Sequence, residues 1–310
     1  MHLSALRNWL VRLRHGGEGQ GTPTSQTEAL AAAPSDLGAP PAPLSTPAAP
    51  PLWQPARLAI EEELWGTGFL NPGGGPEVLR LVAPIGLSAA SSLLLLGTGP
   101  GGPAQFLATE LGVWVNGHEA DPDLATLAAR RIQRAGAAIA KRATVTGWDR
   151  HAPAFTPRSS HHALALDAIR DAAVPPVLAA IAASLKPYGQ VVLLETVAQE
   201  PLDPTDPAIA AWCRLEGRVP ILPQPDAISR GLTRLGFDVR VSEDMSTRHM
   251  RLAVLGWRHL VRQMARDRPA HDRAAAVVAQ AELWTRRIRL MHAGRIRLMR
   301  FHAIGGATIG

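Results

Sequence analysis

Residues 92–102 read SLLLLGTGPGG, an apolar run that closes on four glycines within six residues. An uninterrupted apolar run of this length suits a strand covered on both faces, which a parallel sheet between two helical layers provides. The glycines let the chain turn tightly and leave backbone bare enough for a ligand to lie against it. The next residues, 102–111, read as a helix whose first turn offers unpaired N–H groups and a positive dipole end to a carboxylate or phosphate. A glycine turn alone is equally a plain tight turn, so its surroundings decide.

Those surroundings alternate. Strand patterns fall at 92–97, 113–119, 143–147, 162–167 and 190–196, and helical patterns at 102–111, 121–136 and 173–185. Asp121 stands as the N-cap of the second of these helices and Gly136 just past its end. Strands separated by helices predict a doubly wound, mostly parallel α/β sheet of the Rossmann-like kind with added helices. Ahead of it, ARLAIEEELWG reads as a helix ending near Gly66, and PEVLRLVAPIGL as another with Pro76 in its first turn. After residue 200, helices are expected at 209–217, 225–236, 249–267 and 271–292, and strands at 237–244 and 295–304.

The chain has 310 residues, 46% of them hydrophobic, enough for a full α/β core. Three parts are expected: an amphipathic helix over 1–15, an Ala/Pro-rich disordered linker over 16–52, and a domain over 53–310. The domain divides into a core at 90–200 and a C-terminal helical insertion at about 245–293. In residues 3–14 Leu3, Leu6, Trp9, Leu10 and Leu13 share helical spacing with Arg7 and Arg14 elsewhere. That composition suits either a peripheral membrane contact or a helix docked on the protein itself. A flexible linker of this length would hold its ends about 35 Å apart.

The lone cysteine, Cys213, rules out an intramolecular disulfide and a cysteine-built zinc site, and no metal is expected. No run reaches the roughly 18 apolar residues of a spanning helix, and no secretory core stands at the start. A cytoplasmic setting is expected, with residues 3–14 as the element that would hold the chain peripherally at the inner face of a membrane. The net charge is +6, and arginines recur from Arg286 to Arg300. These read as a solvated helix face rather than a nucleic-acid patch, and no nucleic-acid partner is expected.

Glu119 closes the second strand, 22 residues after Gly97. At that spacing a carboxylate can accept bonds from both hydroxyls of an adenosine ribose. Gly97, Gly99 and Gly102 fit the dinucleotide pattern G-x-G-x-x-G, whereas Gly97, Gly99 and Gly101 fit G-x-G-x-G. Residues 92–196 as a whole resemble the class I S-adenosylmethionine-dependent methyltransferases. LLLLGTGPGGPAQFLA resembles their first motif, VNGHEADPDLATLAARR the second strand and helix, TVTGWDRHAPAF the adenine-facing segment, and LKPYGQVVLLE the turn into strand five. The dinucleotide reading accounts for none of the last three. The resemblance implies S-adenosylmethionine as cofactor. It would be lined by Gly97, Thr98, Gly99, Gly101 and Gly102, with Glu119 on the ribose, Ala120 beside it, Asp149 at the adenine amino group and Trp148 flanking the ring. It also implies an antiparallel last strand, supplied by RIRLMRFHAI.

The flanks LWGTGFLNPGGGPE and LGFDVRVSEDMSTRH are similar to segments of phosphoethanolamine and related small-amine N-methyltransferases. That likeness implies a lid over the donor from Phe69, Asn71, Gly73 and Gly74. Trp65, Phe69 and Asp244 are the expected substrate contacts. Asp167, ending the fourth strand, and His249 are the catalytic candidates, because an amine nucleophile must be neutral and its proton needs an acceptor. Each has a structural alternative: Asp167 as a helix cap, His249 as a buried helix histidine, and Trp65, Trp212, Trp257 and Trp284 as packing between added helices and core. Tyr188 stands where the family usually has glycine, and His162 where strand four often begins with Asp. The expected activity is methylation of a small amine or related metabolite. The alternatives are a lipid or quinone acceptor, or a non-catalytic, membrane-tethered binding protein that kept the fold.

Overall fold

In the computed structural model, residues 52–266 and 270–307 are described. The amphipathic helix expected over 1–15 and all of the linker but Leu52 lie outside them. The apolar run is β1 (Ser92–Leu96), with Leu93 to Leu96 all buried. On one side of it lie β2 (Trp114–Glu119) and then β3 (Ala143–Gly147), and on the other β4 (Ser160–Leu166) and β5 (Leu185–Val197), all parallel. β7 (Arg297–Gly305) runs antiparallel between β5 and β6 (Phe237–Asp244), giving a seven-stranded sheet ordered β3-β2-β1-β4-β5-β7-β6. Both the doubly wound parallel core and the reversed last strand match the sequence expectation.

The helices are α1 (Pro55–Trp65), α2 (Gly74–Val82), α3 (Gly102–Leu111), α4 (Pro122–Arg134), α5 (Ala137–Arg142), α6 (Val174–Ser184), α7 (Pro207–Glu216), α8 (Pro225–Arg234), α9 (Ser246–Met264) and α10 (His271–His292). Asp121 caps α4 as expected, its carboxylate accepting the N–H groups of Asp123 and Leu124. Behind β1, β4, β5 and β7, one apolar layer joins Leu94, Leu96, Leu193 and Phe301 to Val177 and Ile181 of α6 and Ile228 of α8.

Two details depart from the sequence reading. α5 was not expected, because AAIAKR is too short to show helical periodicity. β5 begins at Leu185 rather than 190. Its pairing with β4 jumps from Ser160–Leu185 to His162–Gln190, so residues 186–189 stand out of that ladder. Pro187 lacks a donor for it, and Tyr188 takes φ 61°, the conformation for which glycine is the easy choice. The tyrosine ring is exposed, and its N–H donates to the Gly306 carbonyl at 3.0 Å.

α1 is fastened to α10 by a buried carboxylate. Glu61 accepts from the Trp65 indole and from the Gln280 amide, while Trp65 and Trp284 meet edge to face at 5.1 Å. Burial pushes the Glu61 carboxyl up to about 7, with Arg57 opposing. The folded protein therefore holds a proton that the unfolded chain releases between about pH 4.5 and 7, and stability falls as pH rises through that window. Between pH 5 and 8 this group should remove roughly 2 to 3 kcal/mol of folding stability. Urea unfolding of Glu61→Gln should lack that component of the slope; an unchanged slope would show that Glu61 titrates normally.

Candidate functional site

The glycine turn leaves β1 at the carboxyl edge of the sheet, where open α/β folds place their ligands. Its glycines serve different ends. Gly97 has φ 73°, and a β-carbon there would lie 2.1 Å from the Leu166 carbonyl of β4. Gly101, at φ 100°, presses on Ala128 of α4. These two are required by packing whether or not a ligand binds. At Gly99 a β-carbon would meet only the end of the Leu70 side chain, at 3.1 Å. Gly99 is the turn residue whose open face looks onto a movable side chain instead of backbone.

Glu119 ends β2 directly beside this turn. One of its oxygens accepts the Gly99 N–H at 2.7 Å, and the other accepts those of Ala120 at 2.8 Å and Asp121 at 3.1 Å. The side chain is buried, and burial raises its carboxyl pKa against the pull of those amides. A carboxylate has about four lone-pair sites, so three backbone bonds leave one free. Trp148 and Asp149 follow β3, whose Gly147 pairs with Glu119, and the Trp148 N–H donates to the Glu119 carbonyl at 3.2 Å. The fold thus gathers Gly97, Gly99, Gly101, Glu119, Ala120, Trp148 and Asp149 at one edge.

Not every expected contact keeps its expected part. Thr98 is fully buried, with its methyl under Gly117 and its hydroxyl donating to the Gly99 carbonyl at 3.4 Å, so its side chain braces the turn from within. The Gly102 N–H already donates to the Gly68 carbonyl at 2.9 Å. Asp149 is exposed and accepts from the His151 N–H, capping a local turn. Trp148 packs against Phe155, ring centroids 5.5 Å apart, at the margin of the core.

A narrow crevice lies beside the turn, at the carboxyl ends of β4 and β5, with a cavity volume of about 20 Å³, so it must widen to admit anything larger than a water molecule. Val78 and Leu81 of α2, Leu166, Leu194, Leu298, Met245 and Leu252 form most of its wall, with Asn71, Pro72 and Gly74 from the preceding loop. The ionisable groups in the wall are Glu77 and His249. Glu77 is clamped by Arg248, bidentate through Nη2 to Oε2 at 2.6 Å and Nε to Oε1 at 3.0 Å, and by Arg80 at 3.0 Å. Although burial opposes it, these two guanidiniums hold the Glu77 carboxyl below its ordinary range. His249 is buried, stands 5.5 Å from the Trp284 ring, and its Nε2 has no hydrogen-bond partner among the described residues. Burial, and then the Arg287 charge, hold its imidazole well below the usual value, so it is neutral at physiological pH.

The other expected site residues all make structural contacts. Asp167 takes φ 50°, accepts the Thr196 N–H at 3.1 Å and faces Arg218 at 3.5 Å. Burial pushes its carboxyl up, but Arg218, Arg170 and Arg287 together hold it far below the usual range. A carboxylate so stabilised is a poor proton acceptor; it anchors a buried arginine. Asp244 is exposed, accepts the Ser246 N–H at 2.8 Å at the start of α9 and lies 3.8 Å from Arg297, while its neighbour Met245 is the residue that lines the pocket. Trp65 packs between α1, α9 and α10 against Trp284 and Gly256. Phe69 packs edge to face on Phe106 at 5.9 Å, next to Gly102. Adjacent His161 and His162 bond different partners, Ser92 and Gln190, and no group of metal-ligating side chains occurs among the described residues.

Sequence reasoning missed Glu77, Arg80, Arg248 and the buried Glu195, which accepts the Ala168 and Ile169 N–H groups. Burial and then Asp167 push the Glu195 carboxyl well above its usual value. On α2 a lone acid in the first turn reads only as a dipole partner, so nothing in the sequence marked Glu77.

The strand order, reversed β7 and glycine turn together are the fold of the class I S-adenosylmethionine-dependent methyltransferases. No family model matches the sequence, and no curated protein matches it. Among solved structures, Haemonchus contortus phosphoethanolamine N-methyltransferase 2, bound to phosphomonomethylethanolamine and S-adenosylhomocysteine, is similar with TM-score 0.69 and 19% identity, over 80% of this chain and 57% of that one. The chain therefore spans little over half the length of that protein. The cyclase SpnF is similar with TM-score 0.61 and 17% identity, over 83% of this chain and 93% of that one. Geranyl diphosphate C-methyltransferase from Streptomyces coelicolor A3(2) is similar with TM-score 0.56 and 12% identity, over 74% of this chain and 76% of that one. No helix among the described residues is long and apolar enough to cross a membrane.

The two kinds of glycine separate in a stability measurement. Gly97→Ala should cost more than about 3 kcal/mol in urea unfolding, because its β-carbon meets sheet backbone. Gly99→Ala should cost about 1 to 2 kcal/mol, the strain of its left-handed backbone, and remain folded. Equal costs would refute the distinction.

Proposed function

We propose that the protein transfers a methyl group from S-adenosylmethionine to a small acceptor held in the pocket beside His249. The observation that carries this reading is the buried Glu119 carboxylate aimed at the open face of the Gly99 turn. Its free lone pair, with the one now accepting from Gly99, matches a vicinal diol, so a ribose would take over the Gly99 contact. Leu70 bounds the same space and must yield as the donor enters. Bound there, the donor supplies a methyl group already activated by its sulfonium for in-line displacement. The protein's share is to orient the acceptor and exclude water, which the closely packed pocket wall is suited to do. Neutral His249, its Nε2 without a partner among the described residues, can accept a hydrogen bond from the acceptor, but the burial that lowers its pKa leaves it as weak a proton acceptor as Asp167.

The expected small amine is supported by the likeness to an amine methyltransferase and by the flanking segments. The pocket favours the alternative acceptor, an apolar one. Among the described residues no phenyl, phenol or indole ring lines it to face a methylated ammonium, and its carboxylate is already matched by two guanidiniums. Seven aliphatic or thioether side chains instead bury apolar surface.

Calorimetry with S-adenosylmethionine tests the reading. The wild type should give binding heat and a raised melting temperature where NAD gives neither. Glu119→Gln, which keeps one acceptor oxygen, should weaken donor binding about tenfold or more, on the order of one charged hydrogen bond. No heat with the wild type would leave a binding protein that kept the fold, and unchanged affinity in the variant would remove Glu119 from the donor site.

A further inference from the structure

We infer that the outer face of α9 binds an anionic lipid surface, with Arg251, Arg258 and Arg262 on the head groups and Val254 and Leu255 entering between them. The helix buries one stripe and exposes the opposite one. His249, Ala253, Trp257, Leu260 and Met264 recur at helical spacing and are buried. On the other side Arg251, Leu255, Arg258 and Arg262 fall at i, i+4, i+7 and i+11, and all four are exposed. Val254 lies beside them at 38% exposure, and Leu255 is at 48%. Over its 19 residues the helix has no Asp or Glu. A face that is only solvated tends to alternate its charges, as α10 does where Arg286 pairs with Glu282.

The carboxylates that border the helix are matched by other arginines. Glu243 faces Arg300 at 3.5 Å, Asp244 faces Arg297 at 3.8 Å, and Glu63 of α1 faces Arg273 at 2.7 Å. Among the described residues Arg251, Arg258 and Arg262 form no ion pair, so the stripe keeps three positive charges. Its partner is therefore anionic. A second copy docked face to face about a two-fold axis would set arginine against arginine. Residues 3–14 carry Arg7, Arg12 and Arg14 with no acid, so they are repelled as well. A nucleic acid would match the guanidiniums and leave the two aliphatic side chains unmatched, with no aromatic ring in the stripe for a base to stack on. An anionic bilayer supplies both halves of the match, phosphates at the surface and an apolar layer just beneath. At 1.5 Å per residue the helix runs about 28 Å, a straight edge that a flat surface can follow. This contact is separate from any made by residues 3–14 and needs neither the donor nor the crevice.

The test is co-sedimentation of the full chain with vesicles of phosphatidylcholine alone or mixed equally with phosphatidylglycerol. The wild type should bind the mixed vesicles and not the neutral ones, and salt should weaken the binding by screening it. Each basic residue at such a surface contributes about fivefold, so the Arg251→Gln, Arg258→Gln, Arg262→Gln variant should bind about a hundredfold more weakly. The Arg251→Lys, Arg258→Lys, Arg262→Lys variant keeps the charge and should keep the binding, which separates lost charge from a damaged fold. Val254→Gln with Leu255→Gln leaves the arginines in place and should weaken binding at least about fivefold. To set aside residues 3–14, the α9 glutamine substitutions are repeated in an Arg7→Gln, Arg12→Gln, Arg14→Gln background, where they should cost the same factor. Equal binding to both vesicles would overturn the inference. So would a lipid preference that the α9 glutamines leave intact, or full affinity after the Val254 and Leu255 substitutions. A DNA duplex or polyglutamate held as tightly as the mixed vesicles would also overturn it, and would assign the stripe to a nucleic acid or an acidic protein.

Discussion

Glu119 accepts three backbone N–H groups, from the turn after β1, from its own neighbour Ala120 and from the cap residue of α4. Hydrogen bonds to a charged group contribute about 1.5 to 3 kcal/mol each, and more is lost when a buried donor is left unpaired. The carboxylate therefore sets the distance between the glycine turn and the end of β2, and with it the shape of the edge where a donor would lie. The same residue meets a cost from burial, visible in its raised pKa. Glu195 clasps two backbone N–H groups in a similar way, so what sets Glu119 apart is its unshared lone pair beside the Gly99 turn.

The turn itself shows why a glycine pattern is weaker evidence than its density suggests. Gly97 and Gly101 are fixed by contacts with Leu166 and Ala128 that exist in the folded chain alone. Gly102 is pressed by Gly68, and its N–H is taken. What distinguishes a ligand-facing glycine is the nature of its nearest neighbour. At Gly99 that neighbour is a leucine methyl from the loop before α2, which rotates or withdraws at small cost, whereas the backbone under Gly97 cannot.

The strands, the cap at Asp121 and the carboxylate at Glu119 were legible because each depends on residues close together in sequence. β1 needed only its apolar run, β2 only its alternation and closing acid. The pocket was illegible for the converse reason. Leu81, Leu166, Leu194, Met245 and Leu298 belong to separate elements, or their ends, spread over more than two hundred residues, and each taken alone is an ordinary core position. Asp167 was half legible: its place after β4 was readable, but Arg218, which fixes its charge, lies fifty-one residues away with no pattern linking them. Trp65 went to core packing because its partners, Trp284 and Gly256, sit on the two late helices.

Fold and pocket point to different levels of function. Proteins with this fold include amine and terpenoid methyltransferases and a cyclase, so the fold constrains the donor edge more than the chemistry of the acceptor. In the proposed reading the acceptor meets the wall that α2 and α9 lay across the sheet edge, and α9 packs on α1 and α10 through Trp65 and Trp284, with Glu61 joining α1 to α10. A polar acceptor would leave that wall of leucines in contact with water or unmatched polar groups, a loss that grows with every methylene exposed. Glu77, the group suited to an amine, has its charge turned outward onto two arginines.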